Sequence, residues 1–168
     1  GAVVTAGGIA SGAGGGLGVD ISPQMVASAR ARSAGTPLRF EVASAQAVPL
    51  ADGAASHVLS VENLYYLPDP AAALQEWARA CRAGGHLSIM VDLYAEAPLA
   101  GAWVAALPIE VHVLSEAELA ELCRAAGWTD VRTRRFPDPR PPRSEAEFEP
   151  DEWSPSYALY LESKRVGS

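Results

Sequence analysis

The sequence predicts an α/β fold, a mostly parallel sheet with helices packed on both faces. Three observations predict it. Apolar, strand-like runs alternate with helix-like periodic segments; the connections between them are short; and one apolar run closes on an acid just before a helix start. That run is Gly18–Met25, Gly-Val-Asp-Ile-Ser-Pro-Gln-Met. In doubly wound sheets an acid at the carboxyl end of the second strand typically binds ribose hydroxyls, so Asp20 points to a nucleoside ligand.

Each element follows from local chemistry. Ala2-Val3-Val4 can start a strand, but six of the ten residues from Gly7 to Gly16 are glycine. Each glycine costs a helix about 1 kcal/mol relative to alanine, so residues 1–16 are expected to be irregular or disordered. Leu17–Asp20 reads as a strand. Ser22 can cap the next helix, near Pro23–Ser33, and Pro23 suits its first turn because no helical N–H is lost there. Gly35-Thr36-Pro37 breaks the chain, Leu38–Ala43 alternates like a strand, and Asp52-Gly53 turns into the strand His57–Val61.

Asp69-Pro70 opens a helix to about Arg82, with Leu74, Trp77, Ala78 and Cys81 on one face. Gly84-Gly85 ends it, and His86–Asp92 reads as a buried strand. Leu93–Val113 is irregular. Ser115 and Glu118 then form a capping box for a helix ending at Gly127, and Asp130–Phe136 is the next strand. Pro137–Pro155 carries six prolines and reads as a loop or arm. Tyr157–Arg165 reads as a short helix. The domain organisation is thus 1–16 glycine-rich, 17–136 an α/β core, and 137–168 a proline-rich arm with a C-terminal helix.

The 168 residues are 49% hydrophobic and 20% charged, enough for one domain with a real core. Twenty acids against 13 bases give a net charge of −7, which argues against nucleic acid or an anionic membrane as partner. Arg132, Arg134, Arg135, Arg140 and Arg143 cluster late and read as a solvated strand edge and loop. Cys81 and Cys123 lack metal-ligand spacing and read as buried thiols; no metal site is expected. The chain has no run of 18 apolar residues, and its start lacks a basic region, so a cytoplasmic protein is expected.

Four segments in order, Val19-Asp20-Ile21-Ser22-Pro23, Ala45–Leu50, Leu64–Pro70 and Arg82–Gly85, are similar to those of the class I S-adenosylmethionine-dependent methyltransferases. The small-molecule enzymes related to ubiquinone and menaquinone methyltransferases resemble the chain in particular, from Gly18 to about Phe136. The resemblance implies a Rossmann-like fold, S-adenosylmethionine as donor and a small-molecule acceptor. By position it assigns Asp20 to the ribose, Ile21 to packing on adenine, Ser44 and Ala45 to the adenine edge, and Glu62 and Asn63 to the methionine end and the transferred methyl. The chain departs from the pattern in three places. Ser44 stands where an acid is usual, Ala55-Ser56 where Phe-Asp is usual, and Thr5 where an acid precedes the glycine turn. Only Gly7–Gly16 separate Thr5 from Leu17, whereas a parallel crossover takes roughly a dozen residues or more. The first strand–helix unit and an antiparallel last strand are therefore expected to be incomplete, and the exposed edge left behind favours a homodimer.

Methyl transfer is an in-line displacement in which alignment does most of the work, so no catalytic triad is required. His112 is a candidate base for an oxygen acceptor. Tyr65, Tyr66, Tyr94 and Trp103 are candidates to line an acceptor pocket, Asp92 ends a strand beside them, and His57 reads as structural. Two other readings compete. One is a non-catalytic member of the fold with weak or no donor binding, acting in binding or dimerisation. The other is a nucleotide-dependent oxidoreductase, disfavoured without an ordered glycine turn at a helix N-terminus.

Overall fold

The computed structural model of the protein describes residues 2–6, 15–97, 100–137 and 157–166. Seven strands form one sheet: β1 (Ala2–Ala6), β2 (Gly16–Asp20), β3 (Leu38–Val42), β4 (Ala55–Val61), β5 (Cys81–Val91), β6 (Trp128–Pro137) and β7 (Tyr157–Arg165). Their order across the sheet is β3-β2-β1-β4-β5-β7-β6. The first five are parallel, and β7 runs antiparallel to both β5 and β6. The carboxyl ends of β1–β5 therefore share one side. The strand order reverses between β1 and β4, the switch point where such sheets bind ligands.

Two expectations are corrected. The exposed edge expected beside an incomplete first unit is not there among the described residues: β1 sits at the centre of the sheet, with Val4 opposite Leu17 of β2 and Val58 of β4. The edges are β3 and β6, so no edge arises from a shortened first unit. The glycine-rich residues 7–14, read as disordered, lie outside the described residues, as does most of the proline-rich arm. The second correction is at Tyr157–Arg165, which is not a helix but the antiparallel strand expected to be missing. Leu159, Leu161 and Ser163 are buried while Glu162 and Lys164 are exposed, a period of two that a helix cannot satisfy.

The helices follow their caps. α1 (Pro23–Arg32) starts at Ser22, whose Oγ accepts the Met25 N–H at 3.3 Å. α2 (Pro70–Ala80) starts at Asp69, whose Oδ1 accepts the Ala72 N–H at 3.0 Å. A short α3 (Ala100–Ala106) lies within the stretch read as irregular. α4 (Glu116–Ala125) carries the full capping box of Ser115 and Glu118. β5 begins at Cys81, earlier than the sequence suggests, because Gly84 and Gly85 lie inside the strand rather than ending the helix. Gly84 takes φ +69°, and a Cβ on Gly85 would meet Cys81 Sγ at 2.5 Å.

The core packs α2 and α4 against β5, β6 and β7 around Leu74, Trp77, Leu87, Ile89, Trp128 and Leu161. Both tryptophans donate to carbonyls, Trp77 to Ala45 at 2.8 Å and Trp128 to Leu74 at 3.2 Å, so neither indole N–H is stranded. Among the described residues no helix is long and apolar enough to cross a membrane.

Candidate functional site

The carboxyl ends of β2, β4 and β5 carry Asp20, Glu62 and Asp92, three acids on one rim of the sheet. Asp20 ends β2 half-buried, and its Oδ1 accepts the Ser22 N–H at 2.8 Å. This local bond fixes the carboxylate over the turn. Its Cα partner across the parallel ladder is Val42 of β3. Ile21, Met25 and Val42 are 76%, 51% and 50% exposed, three large apolar side chains held in water beside a carboxylate. Val42 escaped the sequence reading: period two puts it on the face of buried Phe40, which predicts burial rather than exposure.

Ser44 and Ala45 follow β3. Ser44 Oγ accepts the Gln46 N–H at 3.1 Å and its carbonyl accepts the Ala47 N–H at 3.0 Å, closing a tight turn. Ala45 is buried, its carbonyl held by Trp77.

At the end of β4 the chemistry changes. Glu62 still pairs with the sheet, donating its N–H to the Met90 carbonyl at 2.9 Å, yet its φ is +51°. A side-chain-bearing residue in this left-handed region costs about 1–2 kcal/mol. Its Oε2 accepts the Tyr65 hydroxyl at 2.7 Å, and the Asp92 main-chain N–H also donates to the carboxyl. Oε1 is shut from solvent and has no hydrogen-bond partner among the described residues. Burial raises the Glu62 carboxyl above its ordinary range, against the two hydrogen bonds that pull it down. Burial, with the carboxyl beside it, likewise raises the Tyr65 phenol.

A single 3₁₀ turn, Leu64–Tyr66, follows. Asn63 precedes it half-buried, with its carbonyl accepting the Tyr66 N–H at 2.9 Å. Tyr65 is buried and Tyr66 exposed, their ring centroids 4.4 Å apart. The segment after α3 folds back over this turn. His112 donates its main-chain N–H to the Tyr65 carbonyl at 2.9 Å, and its exposed ring places Nε2 at 3.1 Å from the Pro68 carbonyl. A carbonyl only accepts, so Nε2 carries the proton and Nδ1 is the nitrogen left to take one. Tyr94 is buried beneath Arg135, whose guanidinium lies 5.8 Å from the ring centroid. Trp103 is half-buried on α3.

The structure therefore brings Glu62, Tyr65 and Asp92 into direct contact and sets Asp20, Ile21 and Val42 together across the switch point. His57, by contrast, opens β4 at the far end, 2.9 Å from Ser88 Oγ. Burial first, and the neighbouring His86 second, lower its basicity, in keeping with a structural role.

Comparison with known proteins gives this rim a setting. The chain is 28% identical to a chain in the complex of the Haloferax volcanii Trm112 methyltransferase activator with a methyltransferase, covering 99% of this chain and 82% of that one at a TM-score of 0.83. The N-methyltransferase NodS of Bradyrhizobium japonicum, solved with S-adenosylhomocysteine, shares the fold at 16% identity, with 99% and 78% coverage and a TM-score of 0.71. Over 76 residues the chain is 34% identical to uncharacterized proteins of Mycobacterium bovis and Mycobacterium tuberculosis; the match spans 44% of this chain and 28% of theirs. Residues 6–89 match the family profile described as a methyltransferase domain, and with the strand order and the acid-ended β2 this establishes that the chain belongs to the S-adenosylmethionine-dependent class I methyltransferase family.

Proposed function

We propose that the chain transfers a methyl group from S-adenosylmethionine to a small-molecule acceptor. The observation that carries this is the pairing, across one switch point, of an exposed apolar shelf beside a carboxylate with a half-buried carboxyl whose second oxygen is shut from solvent without a partner among the described residues. The residues fit the donor. Asp20 would accept hydrogen bonds from the ribose hydroxyls, Ile21 and Val42 would cover an adenine face, and Ser44 and Ala45 would border its edge. Glu62 and Asn63 would stand by the methionine end. The three rim acids also suit a cation.

The donor, when bound, supplies an activated methyl on a sulfonium. The chain's own work is to hold, orient and keep water away. Tyr65, Tyr94 and Trp103 would wall the acceptor side, with Tyr66 exposed at its mouth and Asp92 at its floor. His112 stays a candidate base through Nδ1 alone. A cytoplasmic setting suits the free, buried Cys81 and Cys123, the latter thiol pushed up to about 12 by burial. Self-association, if it occurs, would use the open β3 or β6 edge, and sedimentation at micromolar concentration decides it.

The test is calorimetric titration with S-adenosylhomocysteine. Micromolar binding is expected, and Asp20→Ala should weaken it by about 1–3 kcal/mol, the scale for hydrogen bonds to a charged group. No binding by a folded protein would overturn the donor assignment; unchanged affinity in the variant would overturn the ribose contact alone.

A further inference from the structure

We propose that Glu62 Oε1 accepts the N–H of the methyl acceptor, which makes the acceptor an amine. This rests on the donor reading above and adds the substrate class.

Four observations lead there. Oε2 accepts the Tyr65 hydroxyl, while Oε1, closed to water, has no partner among the described residues. A buried carboxyl oxygen left bare is costly whether the group is ionised or protonated, since a carboxylic O–H also needs an acceptor. The backbone holds Glu62 at φ +51° while keeping its ladder bond to Met90, so the strained conformation is maintained at the strand end rather than relaxed into a loop. Finally, the ends of β2, β4 and β5 carry Asp20, Glu62 and Asp92 with no base among the three. Arg135, which lies over Tyr94, is paired with Glu116 at 2.7 Å. Such a rim repels carboxylate, phosphate and phenolate acceptors and attracts amines.

The chemistry balances without any further reactant. The ammonium that the rim attracts first gives one proton to water; the neutral amine that remains, its N–H held by Oε1, directs its lone pair at the methyl carbon. The C–N bond forms as the C–S bond breaks, its electron pair goes to sulfur, and the positive charge moves from sulfur to nitrogen. Glu62 thus faces the charge where it develops, which is where a fixed carboxylate helps most. The proton stays on the product ammonium and leaves with it to water. Burial raises the Glu62 carboxyl in the free protein, and an ammonium at Oε1 relieves that cost.

The donor also carries an ammonium, on its methionine end, and it is the rival occupant of Oε1. The experiment separates the two. Wild type and Glu62→Gln are each titrated with S-adenosylhomocysteine, then, when saturated with it, with methylammonium, ethylammonium and benzylammonium and with the matching alcohols. In wild type at least one amine should bind the S-adenosylhomocysteine-saturated protein about tenfold or more tightly than its alcohol, and Glu62→Gln, saturated likewise, should erase that preference. Equal binding of amine and alcohol, no amine binding, or an unchanged preference in the variant overturns the proposal. So does about a tenfold loss of S-adenosylhomocysteine affinity in Glu62→Gln, which hands Oε1 to the donor. If wild type does not bind S-adenosylhomocysteine at all, it is the donor reading that has failed, and the proposal falls with it. Should Glu62→Gln not fold, Glu62→Asp, which keeps the charge but withdraws it by one methylene, should weaken the amine preference in the same direction; full retention overturns the proposal.

Discussion

At the end of β2, Ile21 is 76% exposed and its neighbour Val42 50%, whereas at the ends of β4 and β5, Tyr65 and Tyr94 are 7% and 2% exposed. Both regions belong to the same rim of the same sheet. The difference lies in what covers them. Nothing among the described residues folds back over the β2–β3 end, while residues 107–114 return over the β4–β5 end and are tied down by His112 to Tyr65 and by Ala95 to Leu114 at 2.9 Å each. The open end holds its groups by short-range bonds, Asp20 to Ser22 and Ser44 to Gln46. The covered end holds Tyr65 and Tyr94 by burial, and Glu62 by its bonds to the Met90 carbonyl and the Tyr65 hydroxyl. Changes at the open end should therefore alter ligand affinity and spare stability, and changes beneath or within the covered end should do the reverse or both.

Trp77→Ala is the severest challenge to that division. Trp77 is buried in the core, yet its indole N–H also holds the Ala45 carbonyl beside the open end. Truncation should cost about 3–5 kcal/mol in urea unfolding, from the lost apolar burial and the cavity left behind. It should also weaken S-adenosylhomocysteine binding, because a freed Ala45 carbonyl no longer fixes the Ser44–Ala45 turn. Lost stability with unaltered affinity would show that the open end holds its shape without help from the core.

How much of each end could be read from the sequence follows from the same contrast. The open end was legible: Asp20, Ile21 and the Ser22 cap lie within three residues, and α2 and α4 announce themselves through Asp69 and the Ser115–Glu118 box. The covered end was less so, because its chemistry depends on contacts between distant segments. The residue types Glu62 and Tyr65 were visible, but the positive φ, the unpartnered oxygen and the return of His112 over the turn were not. Tyr157–Arg165 misled for a different reason. Ala, Leu, Glu and Lys are good helix formers, and the alternation of Leu159, Leu161 and Ser163 outweighs that preference only once β5 and β6 are there to pair with.

A smaller effect probes the covered end through pH. The folded-state carboxyl of Glu62 is raised above its ordinary value of 4.5 by burial, so the native protein holds this proton more tightly than the unfolded chain. Below 4.5 both states are protonated and ionisation costs the fold nothing; as pH rises through the folded value, native stability is lost. Glutamine at position 62 removes this dependence. Urea unfolding at about pH 5 and about pH 8 should show Glu62→Gln gaining on wild type with rising pH, by at most about 1 kcal/mol given the solvent that screens a partly exposed group. A constant difference between the two would mean that ionisation of this carboxyl is not felt by the fold.

The smallest expected effect isolates the open end. Ile21 buries little of its own surface, so Ile21→Ala removes almost no core contact, and surface changes of this kind fall within about 0.5 kcal/mol of wild-type stability. A bound adenine would cover the side chain, and hiding some tens of Å² of apolar surface at about 25 cal/mol per Å² is worth about 1 kcal/mol. S-adenosylhomocysteine should then bind about fivefold more weakly to Ile21→Ala, with unfolding unchanged. The reverse pattern, stability lost and affinity kept, would mean that Ile21 packs against another part of the chain in solution, and the contrast between an open and a covered end would collapse at its most exposed residue.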